Sequence, residues 1–286
     1  MKHAPSHDFS GSAMTGSDIL TFIIPVRHQA NAKDWGALKA NLVQTMRSIA
    51  GQSDPRWRAF IVANRGADLP PLPNGFAAVA VDFPPNRLHD KGSAPLEQVY
   101  QAVRMDKGRR VLAGLIAARP QGHVMIVDDD DFVSNRLVAH VALHAQANGW
   151  FLQQGYVWSP GGALVYRDGD FFHVCGTSHI IRADLYAIPA RIEDASDDYI
   201  ARMLGSHVQI AAALAAAGYP LDPLPFPGAV YRIGHPGAHS KSWGLIGKCL
   251  LPGVVRGPVE FIRRLTRLYR LSSGMRAEFF GARDGA

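Results

Sequence analysis

The chain has 286 residues with a formal net charge of +6 at pH 7; 47% of its residues are hydrophobic and 19% are charged. These values are typical of a globular protein with a sizeable core. The sequence has no apolar run of 18 residues, so we expect no membrane-spanning helix, and two cysteines are too few for a disulfide framework. We therefore expect a cytoplasmic protein, and its basic charge favours anionic ligands or an anionic surface as partners.

The first half of the chain alternates predicted strands with predicted helices. Apolar and β-branched runs predict strands at 19–26, 57–63 and 76–83, and apolar positions at helical spacing predict helices at 34–50 and 108–118. This alternation indicates βαβ units around a parallel sheet, where ligands bind at the carboxyl ends of the strands. Residues 1–18 are polar, and we expect a disordered leader there.

Four consecutive aspartates, Asp128 to Asp131, follow a short apolar strand at residues 123–127. Carboxylates crowded at a strand end raise one another's pKa or bind a cation. Mg²⁺ and Mn²⁺ are the ions that oxygen ligands suit. The alternative is a solvated acidic turn before the next helix, for which Ser134 is the predicted N-cap.

After residue 150 the pattern changes to shorter elements interrupted by glycine and proline. It predicts strands at 150–158, 163–174 and 180–182 and a helix at 207–217. Asp168-Gly169 is a hairpin-turn signal. We expect a nucleotide-binding half, 19–133, and an acceptor-binding half, 134–244, in one compact domain, followed by a basic extension, 245–286. Residues 175–179 (CGTSH) would border the acceptor site, because glycine lets a ligand approach the backbone closely.

Four segments together resemble a family 2-type glycosyltransferase. Three match the opening of that family: residues 22–27 (FIIPVR), 45–52 (TMRSIAGQ) and 58–64 (RAFIVAN). Residues 126–131 (IVDDDD) resemble its Asp-x-Asp motif and the acid after it. The resemblance covers roughly residues 19 to 240. It implies the GT-A fold, a Rossmann-like α/β fold of nucleotide-diphospho-sugar transferases with a mixed central sheet, here with a C-terminal helical extension.

The resemblance also implies a nucleoside-diphosphate sugar donor, an Mn²⁺ or Mg²⁺ cofactor, and a set of donor contacts. Six residues at three places in the chain would contact the nucleotide: Pro25, Val26, Arg27, Asn64, Lys107 and Gly108. Asn64 stands where the family commonly has an aspartate that touches uracil or ribose, so a UDP donor and a GDP donor both remain open. Lys107 would pair with phosphate or base, or it would be a solvated loop lysine.

The acidic run supplies the remaining donor and metal contacts that the resemblance implies. Asp128 would hold the ribose and share the metal with Asp130, and Asp129 would contact the nucleotide sugar. A register with Asp129 and Asp131 as the Asp-x-Asp pair also fits. The physical reason for a metal is that the leaving diphosphate gains negative charge, which a Lewis acid stabilises.

A glycine- and proline-rich segment at 231–240 resembles the mobile loop that completes the metal shell in this fold. His239 would be the third metal ligand and His235 its substitute. The alternative is an ordinary pair of surface histidines.

An inverting transferase needs a base that deprotonates the acceptor hydroxyl. Asp197 and Asp198 supply carboxylates near the expected place, and His207 stands where the family has an acid. A retaining reaction without a conventional base is the alternative, with these residues acting as helix-capping acids and a half-buried histidine.

Residues 256–272 combine an apolar stripe with arginines and predict a basic amphipathic helix. Such a helix would contact an anionic membrane peripherally and suit a glycan or lipid-linked acceptor, or it would pack on the domain. A nucleotidyltransferase is less favoured, because residues 25–29 (PVRHQ) lack its glycine-rich loop. A non-catalytic nucleotide-sugar binder stays open. Nucleic acid is not an expected partner, because the basic residues are not interleaved with stacking aromatics.

Overall fold

The computed structural model of the protein describes residues 18–88, 94–234, 244–250, 252 and 257–281. The strands are β1 (Leu20–Pro25), β2 (Trp57–Asn64), β3 (Phe76–Val81), β4 (His123–Ile126), β5 (Phe132–Val133), β6 (Gly149–Phe151), β7 (Gly155–Trp158), β8 (Leu164–Asp168), β9 (His179–Arg182), β10 (Asp222–Pro223), β11 (Ala229–Arg232) and β12 (Leu268–Arg270). The helices are α1 (Trp35–Ala50), α2 (Leu96–Ala118), α3 (Leu137–Leu143), α4 (Asp197–Tyr199), α5 (Ile210–Ala216), α6 (Pro258–Leu265) and α7 (Ser273–Phe279). A π-helical turn, Ile200–Leu204, continues α4.

A seven-stranded mixed sheet forms the centre, in the order β10-β6-β9-β4-β1-β2-β3. Strands β3, β2, β1 and β4 are parallel, and β9 runs antiparallel to both β4 and β6. A smaller sheet has the order β12-β8-β7-β11-β5. The predicted α/β fold with a mixed central sheet and a C-terminal helical extension is confirmed.

Helices cover both faces of the central sheet. Every residue of β1 is buried, as expected for a parallel strand packed on both sides. Phe22 and Ile24 join Leu42 of α1 in one core cluster. Ile23, between them in sequence, points to the opposite face and joins Val111 of α2 in a second cluster. The continuous apolar run of β1 is therefore the consequence of two cores, one on each face.

The register of the parallel strands brings two predicted site segments to one edge. Ile23 of β1 pairs with Ile126 of β4, so the chain leaves both strands within a few residues of each other. Pro25 ends β1 there and Arg27 follows it, and Asp128 follows β4. This is the carboxyl edge, where the sequence predicts the ligand site.

Several predicted boundaries are wrong. Helix α2 begins at Leu96 rather than at residue 108. Leu96, Val99, Tyr100 and Val103 recur at helical spacing there, a pattern that the prediction did not use. The hairpin turn between β7 and β8 lies at residues 159–163, not at Asp168-Gly169, and Gly161 has a φ of +77° there. Ser134 does not cap α3; its hydroxyl donates instead to Glu278 of α7.

Two predicted long elements are divided. Residues 150–158 supply β6 to the central sheet and β7 to the smaller one. In the extension, Pro258 occupies the first turn of α6 as predicted, but the helix ends at Leu265 and the chain continues as β12, paired with β8. None of the helices among the described residues is long and apolar enough to cross a bilayer.

Candidate active site

A cleft of about 360 Å³ opens at the carboxyl edge of β1 and β4. Five cationic side chains and four carboxylates line it, so the cavity is highly charged: Arg27, Arg104, Lys107, Arg110, Arg232, Asp106, Asp128, Asp129 and Asp130. Its lining also includes Pro25, Gly176, Ser206, His207 and Tyr231. A space with carboxylates and several cations suits a ligand that carries phosphate, because phosphate oxygens bind both cationic side chains and carboxylate-held metals.

The first aspartate of the run forms an ion pair in this cleft. Asp128 Oδ1 accepts a hydrogen bond from Lys107 Nζ at 2.5 Å, and both side chains are partly exposed. Gly176 allows this contact, because a Cβ there would lie 2.4 Å from Asp128 Oδ2 and 2.8 Å from Lys107 Nζ. Burial alone lowers the pKa of Lys107, but the Asp128 charge and hydrogen bond leave that pKa above its ordinary value. Lys107 is therefore a charged group of the cleft rather than a solvated loop lysine.

The last aspartate of the run faces the interior instead. Asp131 is fully buried; its Oδ2 accepts hydrogen bonds from Thr177 Oγ1 (2.7 Å) and Cys175 Sγ (3.2 Å), and its Oδ1 accepts one from the Arg232 N–H (3.2 Å). Burial, together with the nearby Asp130 and Asp128, raises its pKa well above the usual range. Asp128, Asp129 and Asp130 line the cleft, so the geometry favours Asp128 and Asp130 over a register that uses Asp131.

Asn64 supports the cleft without lining it. Its Oδ1 accepts from Arg110 (2.8 Å) and its Nδ2 donates to the Phe83 carbonyl (2.6 Å). Arg110, which is almost completely buried, also donates twice to Asp106, at 3.0 and 3.1 Å. The predicted nucleotide contact of Asn64 stays a prediction. Its polar atoms bond Arg110 and the Phe83 carbonyl, and Arg110 lines the cavity.

Two further predicted nucleotide contacts lie in packed surroundings. The Val26 side chain is fully buried in the core beside α1. Gly108 packs against the π-helical turn, where a Cβ would lie 2.3 Å from the Ile200 carbonyl oxygen. Their neighbours Pro25, Arg27 and Lys107 line the cleft, so each segment reaches the site through adjacent residues.

The three predicted base candidates are separated by the fold. His207 lines the cleft, and its Nε2 lies 3.4 Å from the His173 carbonyl oxygen. Burial and the neighbouring Lys107 lower its pKa, so the ring is neutral at pH 7 and can accept a proton. Asp197 and Asp198 lie outside the cleft lining, 81% and 68% exposed, beside Arg109 and Arg202 respectively. The structure thus separates the two acids from His207, and the identity of the base stays a prediction.

Arg232 is a cleft residue that the sequence does not single out. It is 2% exposed, donates to Asn41 (2.5 Å) and Gln44 (3.2 Å), and lies 4.3 Å above the Phe132 ring. Its position depends on β11 pairing with β5, directly after the acidic run. The one sequence signal is an arginine at the end of an apolar strand, and that signal is weak without the pairing.

Of the three predicted metal ligands, the structure describes the two carboxylates, Asp128 and Asp130. Asp128 and Asp130 face one cavity, and carboxylate oxygens are the ligands that Mg²⁺ and Mn²⁺ take. The part of the chain that the structure describes contains no group of three or more His, Cys, Asp or Glu placed to hold a metal. Two carboxylates fit such an ion when diphosphate oxygens supply its other ligands. His239 and its substitute His235, like residues 1–17 of the predicted leader, lie outside the described residues.

Fold and cleft together define an α/β protein with a charged ligand site at the carboxyl edge of its parallel strands. No family model and no curated protein matches the chain. Among solved structures, it is similar to S. aureus TarS 1–349, with 11% identity and a TM-score of 0.42, over 75% of this chain and 60% of that one. The chain therefore spans about three fifths of that protein's length.

Two further solved structures are similar to this chain. One is Rv0371C of Mycobacterium tuberculosis H37Rv in complex with manganese, with 10% identity and a TM-score of 0.32, over 76% of this chain and 92% of that one. The other is the galactosyltransferase LgtC in complex with donor and acceptor sugar analogs, with 10% identity and a TM-score of 0.35, over 90% of this chain and 99% of that one.

Proposed function

We propose that this protein is a GT-A-type, metal-dependent glycosyltransferase that moves a sugar from a nucleoside diphosphate to a glycan, lipid-linked or small-molecule acceptor. The observation that supports it is the cleft in which Asp128 and Asp130 meet Lys107, Arg110 and Arg232 at the carboxyl edge. Carboxylates alone would repel a diphosphate, and cations alone would not retain a metal. Their combination suits a metal–diphosphate pair of UDP or GDP type.

Asp128 and Asp130 would hold Mn²⁺ or Mg²⁺, with His239 as the third predicted ligand. When bound, the ion would act as a Lewis acid on the diphosphate. Lys107, already charged beside Asp128, would stabilise the same leaving group. Asp129, buried at the cleft wall with its carbonyl oxygen accepting from Thr45, would contact the nucleotide sugar.

Pro25 and Arg27 would line the base and ribose side of the donor, with Val26 supporting them from the core. Arg110 would reach the nucleotide in place of Asn64, which holds it. Because the acidic group commonly found at the Asn64 position is absent, Arg110 and Asp106 are the groups that would distinguish uracil from guanine.

His207 would deprotonate the acceptor hydroxyl, because it alone of the three base candidates lines the cleft. When Nε2 donates to the His173 carbonyl, Nδ1 is the proton acceptor. We expect His207→Gln to lower kcat about 100-fold or more with donor affinity unchanged, the range of general-base catalysis. Asp197→Asn and Asp198→Asn are the matched controls. A comparable loss of kcat in either variant would identify that aspartate, rather than His207, as the base.

A peripheral contact with the inner face of a membrane would suit a lipid-linked acceptor. On α6, Val259 and Ile262 are 81% and 60% exposed, and Arg267 and Arg270 follow the helix. Apolar exposure beside arginines is the combination that an anionic lipid surface binds. Sedimentation with phosphatidylglycerol vesicles, lost in an Ile262→Ser variant and absent with phosphatidylcholine, would support this contact; equal sedimentation of the variant would exclude it.

Donor binding is tested by thermal unfolding with UDP, GDP, CMP and dTDP, with and without Mn²⁺. Ligand at 100 times its Kd stabilises a folded protein by about 2.7 kcal/mol. We expect such a shift from one diphosphate, dependent on the ion and lost in Asp130→Ala but not in Asp198→Asn. No shift from any nucleotide contradicts the proposal. Release of pyrophosphate from a nucleoside triphosphate, instead of a diphosphate from a nucleotide sugar, would identify a nucleotidyltransferase.

A further inference from the structure

A second cavity, of about 20 Å³, lies beside the cleft. The two share Lys107, Gly176, Ser206 and His207 in their linings, so the small cavity adjoins the cleft. Its lining includes the buried His179, on β9, which does not line the main cleft. We call this cavity the His179 pocket.

His179 has a buried polar atom without a hydrogen-bond partner in the part of the chain that the structure describes. Its ring is 6% exposed, with Nδ1 3.1 Å from Ser178 Oγ, while the buried Nε2 has no hydrogen-bond partner among the described residues. A buried polar atom left unsatisfied costs about 1–3 kcal/mol, so native proteins give such atoms a water or a ligand. The pocket beside this ring is therefore built to receive a hydrogen-bonding group.

The ring is held in one place and one charge state. The β9 backbone pairs with Phe151 of β6 at this residue, and the ring packs edge-on against Phe172, with centroids 6.4 Å apart. Burial, with lesser effects from His207 and His173, lowers its pKa to about 3, so the imidazole is neutral. When Ser178 donates to Nδ1, Nε2 carries the single ring N–H.

The size of the pocket limits its occupant. About 20 Å³ accommodates one water-sized group. Apolar side chains form part of its wall: Ile126, Met203, Leu204 and Ile210. Polar side chains form the rest: Lys107, His179, Tyr186, Ser206 and His207. One hydroxyl group satisfies both features, while a larger substituent such as an acetamido group exceeds the volume.

We propose that the His179 pocket is a hydroxyl subsite, in which His179 Nε2 hydrogen-bonds one hydroxyl of a sugar and so determines sugar specificity. The proposal rests on the glycosyltransferase function proposed above. The donor sugar and a sugar acceptor both carry hydroxyl groups. Either could place one in the pocket, because the two sugars would meet beside His207. The site would reject the deoxy sugar that lacks this hydroxyl, since Nε2 would then stay unpaired.

The test compares wild type with His179→Phe, which keeps a buried ring and removes the nitrogen, and with His179→Gln, which restores a donor. The probes are UDP, UDP-glucose, UDP-galactose, GDP and GDP-mannose, with monodeoxy analogues of each sugar, and glucose and galactose as acceptors with their monodeoxy analogues. We expect wild type to prefer one parent sugar over one deoxy analogue at least tenfold in kcat/KM, the size of one lost hydrogen bond to a buried group. His179→Phe should reduce this ratio to about one, and His179→Gln should restore part of it, with nucleotide affinity unchanged.

The measurements with donor analogues and with acceptor analogues show which sugar supplies the hydroxyl. A ratio that changes with the donor analogue, including in donor hydrolysis without acceptor, assigns the pocket to the donor; a change confined to the KM of the acceptor assigns it to the acceptor. Equal discrimination in wild type and His179→Phe overturns the subsite and leaves a water pocket, while nucleotide binding still stands. Wild type that binds no nucleotide overturns the proposed function and the subsite together.

Discussion

The two walls of the cleft are held by different physical means. The sheet wall, residues 128–131 with 176–177, is fixed by hydrogen bonds: the Asp128 N–H donates to Thr177 Oγ1 at 2.9 Å, and that hydroxyl donates to Asp131 at 2.7 Å. The helical wall, residues 104–110 of α2 with 205–207, combines close backbone packing at Gly108 and Gly205 with the hydrogen bonds of Arg110. The comparison shows that hydrogen bonds hold the sheet wall, whereas the helical wall also depends on the absence of a Cβ at two positions.

Removing the buried carboxylate should have the largest effect on the sheet wall. Asp131→Ala leaves the Thr177 hydroxyl, the Cys175 thiol and the Arg232 N–H buried without their acceptor, and each unsatisfied group costs about 1–3 kcal/mol. We expect the free energy of unfolding to fall by about 3 kcal/mol or more, measured by urea denaturation with the m-value unchanged.

Asp131→Asn is the control for this prediction. It keeps an acceptor oxygen and the side-chain volume, so it should lose less than half as much stability. Equal stability of Asp131→Ala and wild type would mean that the sheet wall is held by strand pairing alone.

Adding one methyl group should disturb the helical wall. A Cβ at Gly205 would lie 2.0 Å from the Arg104 carbonyl oxygen, a backbone atom that cannot rotate away. We expect Gly205→Ala to lower the free energy of unfolding by about 2 kcal/mol, within the range for overpacking, and to weaken nucleotide binding by displacing Lys107. Thermal unfolding with and without nucleotide measures both effects.

Gly169→Ala is the matched control, because a Cβ there meets nothing within 4 Å. It should stay within about 0.5 kcal/mol of wild type. If Gly205→Ala were equally harmless, the two helical segments would be free to separate, and shape would not hold the helical wall.

The sequence predicts the sheet wall better than the helical one. Strands β1 and β2 are recognisable because burial on both faces leaves continuous apolar runs, and the strand before Asp128 is recognisable for the same reason. The acidic run marks the ligand edge, since strand ends of a parallel sheet meet there. The first half of α2 is absent from the prediction although Lys107 belongs to the site. Its apolar residues Leu96, Val99, Tyr100 and Val103 stand at helical spacing, so the sequence holds a signal for this segment that the prediction missed.

Side chains that converge through tertiary packing are not predictable from local pattern. Arg232 reaches the cleft because β11 pairs with β5, about a hundred residues earlier in the chain. Asn64 does not line the cleft, and its Oδ1 accepts a hydrogen bond from Arg110. His179 gives no signal beyond its place in residues 175–179, since an unsatisfied nitrogen is a property of the packed interior.

The last expected effect is a pH dependence at the junction of the two walls. His179 belongs to β9 but lines a pocket with Ser206 and His207. Its pKa is about 3 in the folded protein and about 6.5 when unfolded, so between these values the unfolded chain binds more protons. The free energy of unfolding should therefore fall as the pH decreases from 6.5 towards 3, by about 1.4 kcal/mol per pH unit from this residue.

His179→Phe isolates that contribution, because it removes the titrating ring and leaves other groups in place. Urea denaturation at pH 7.5, 6 and 5 should give a shallower loss of stability for the variant than for wild type, with the difference confined to pH below 6.5. Parallel curves would mean that His179 gains a partner when protonated, which requires the helical wall to move towards it.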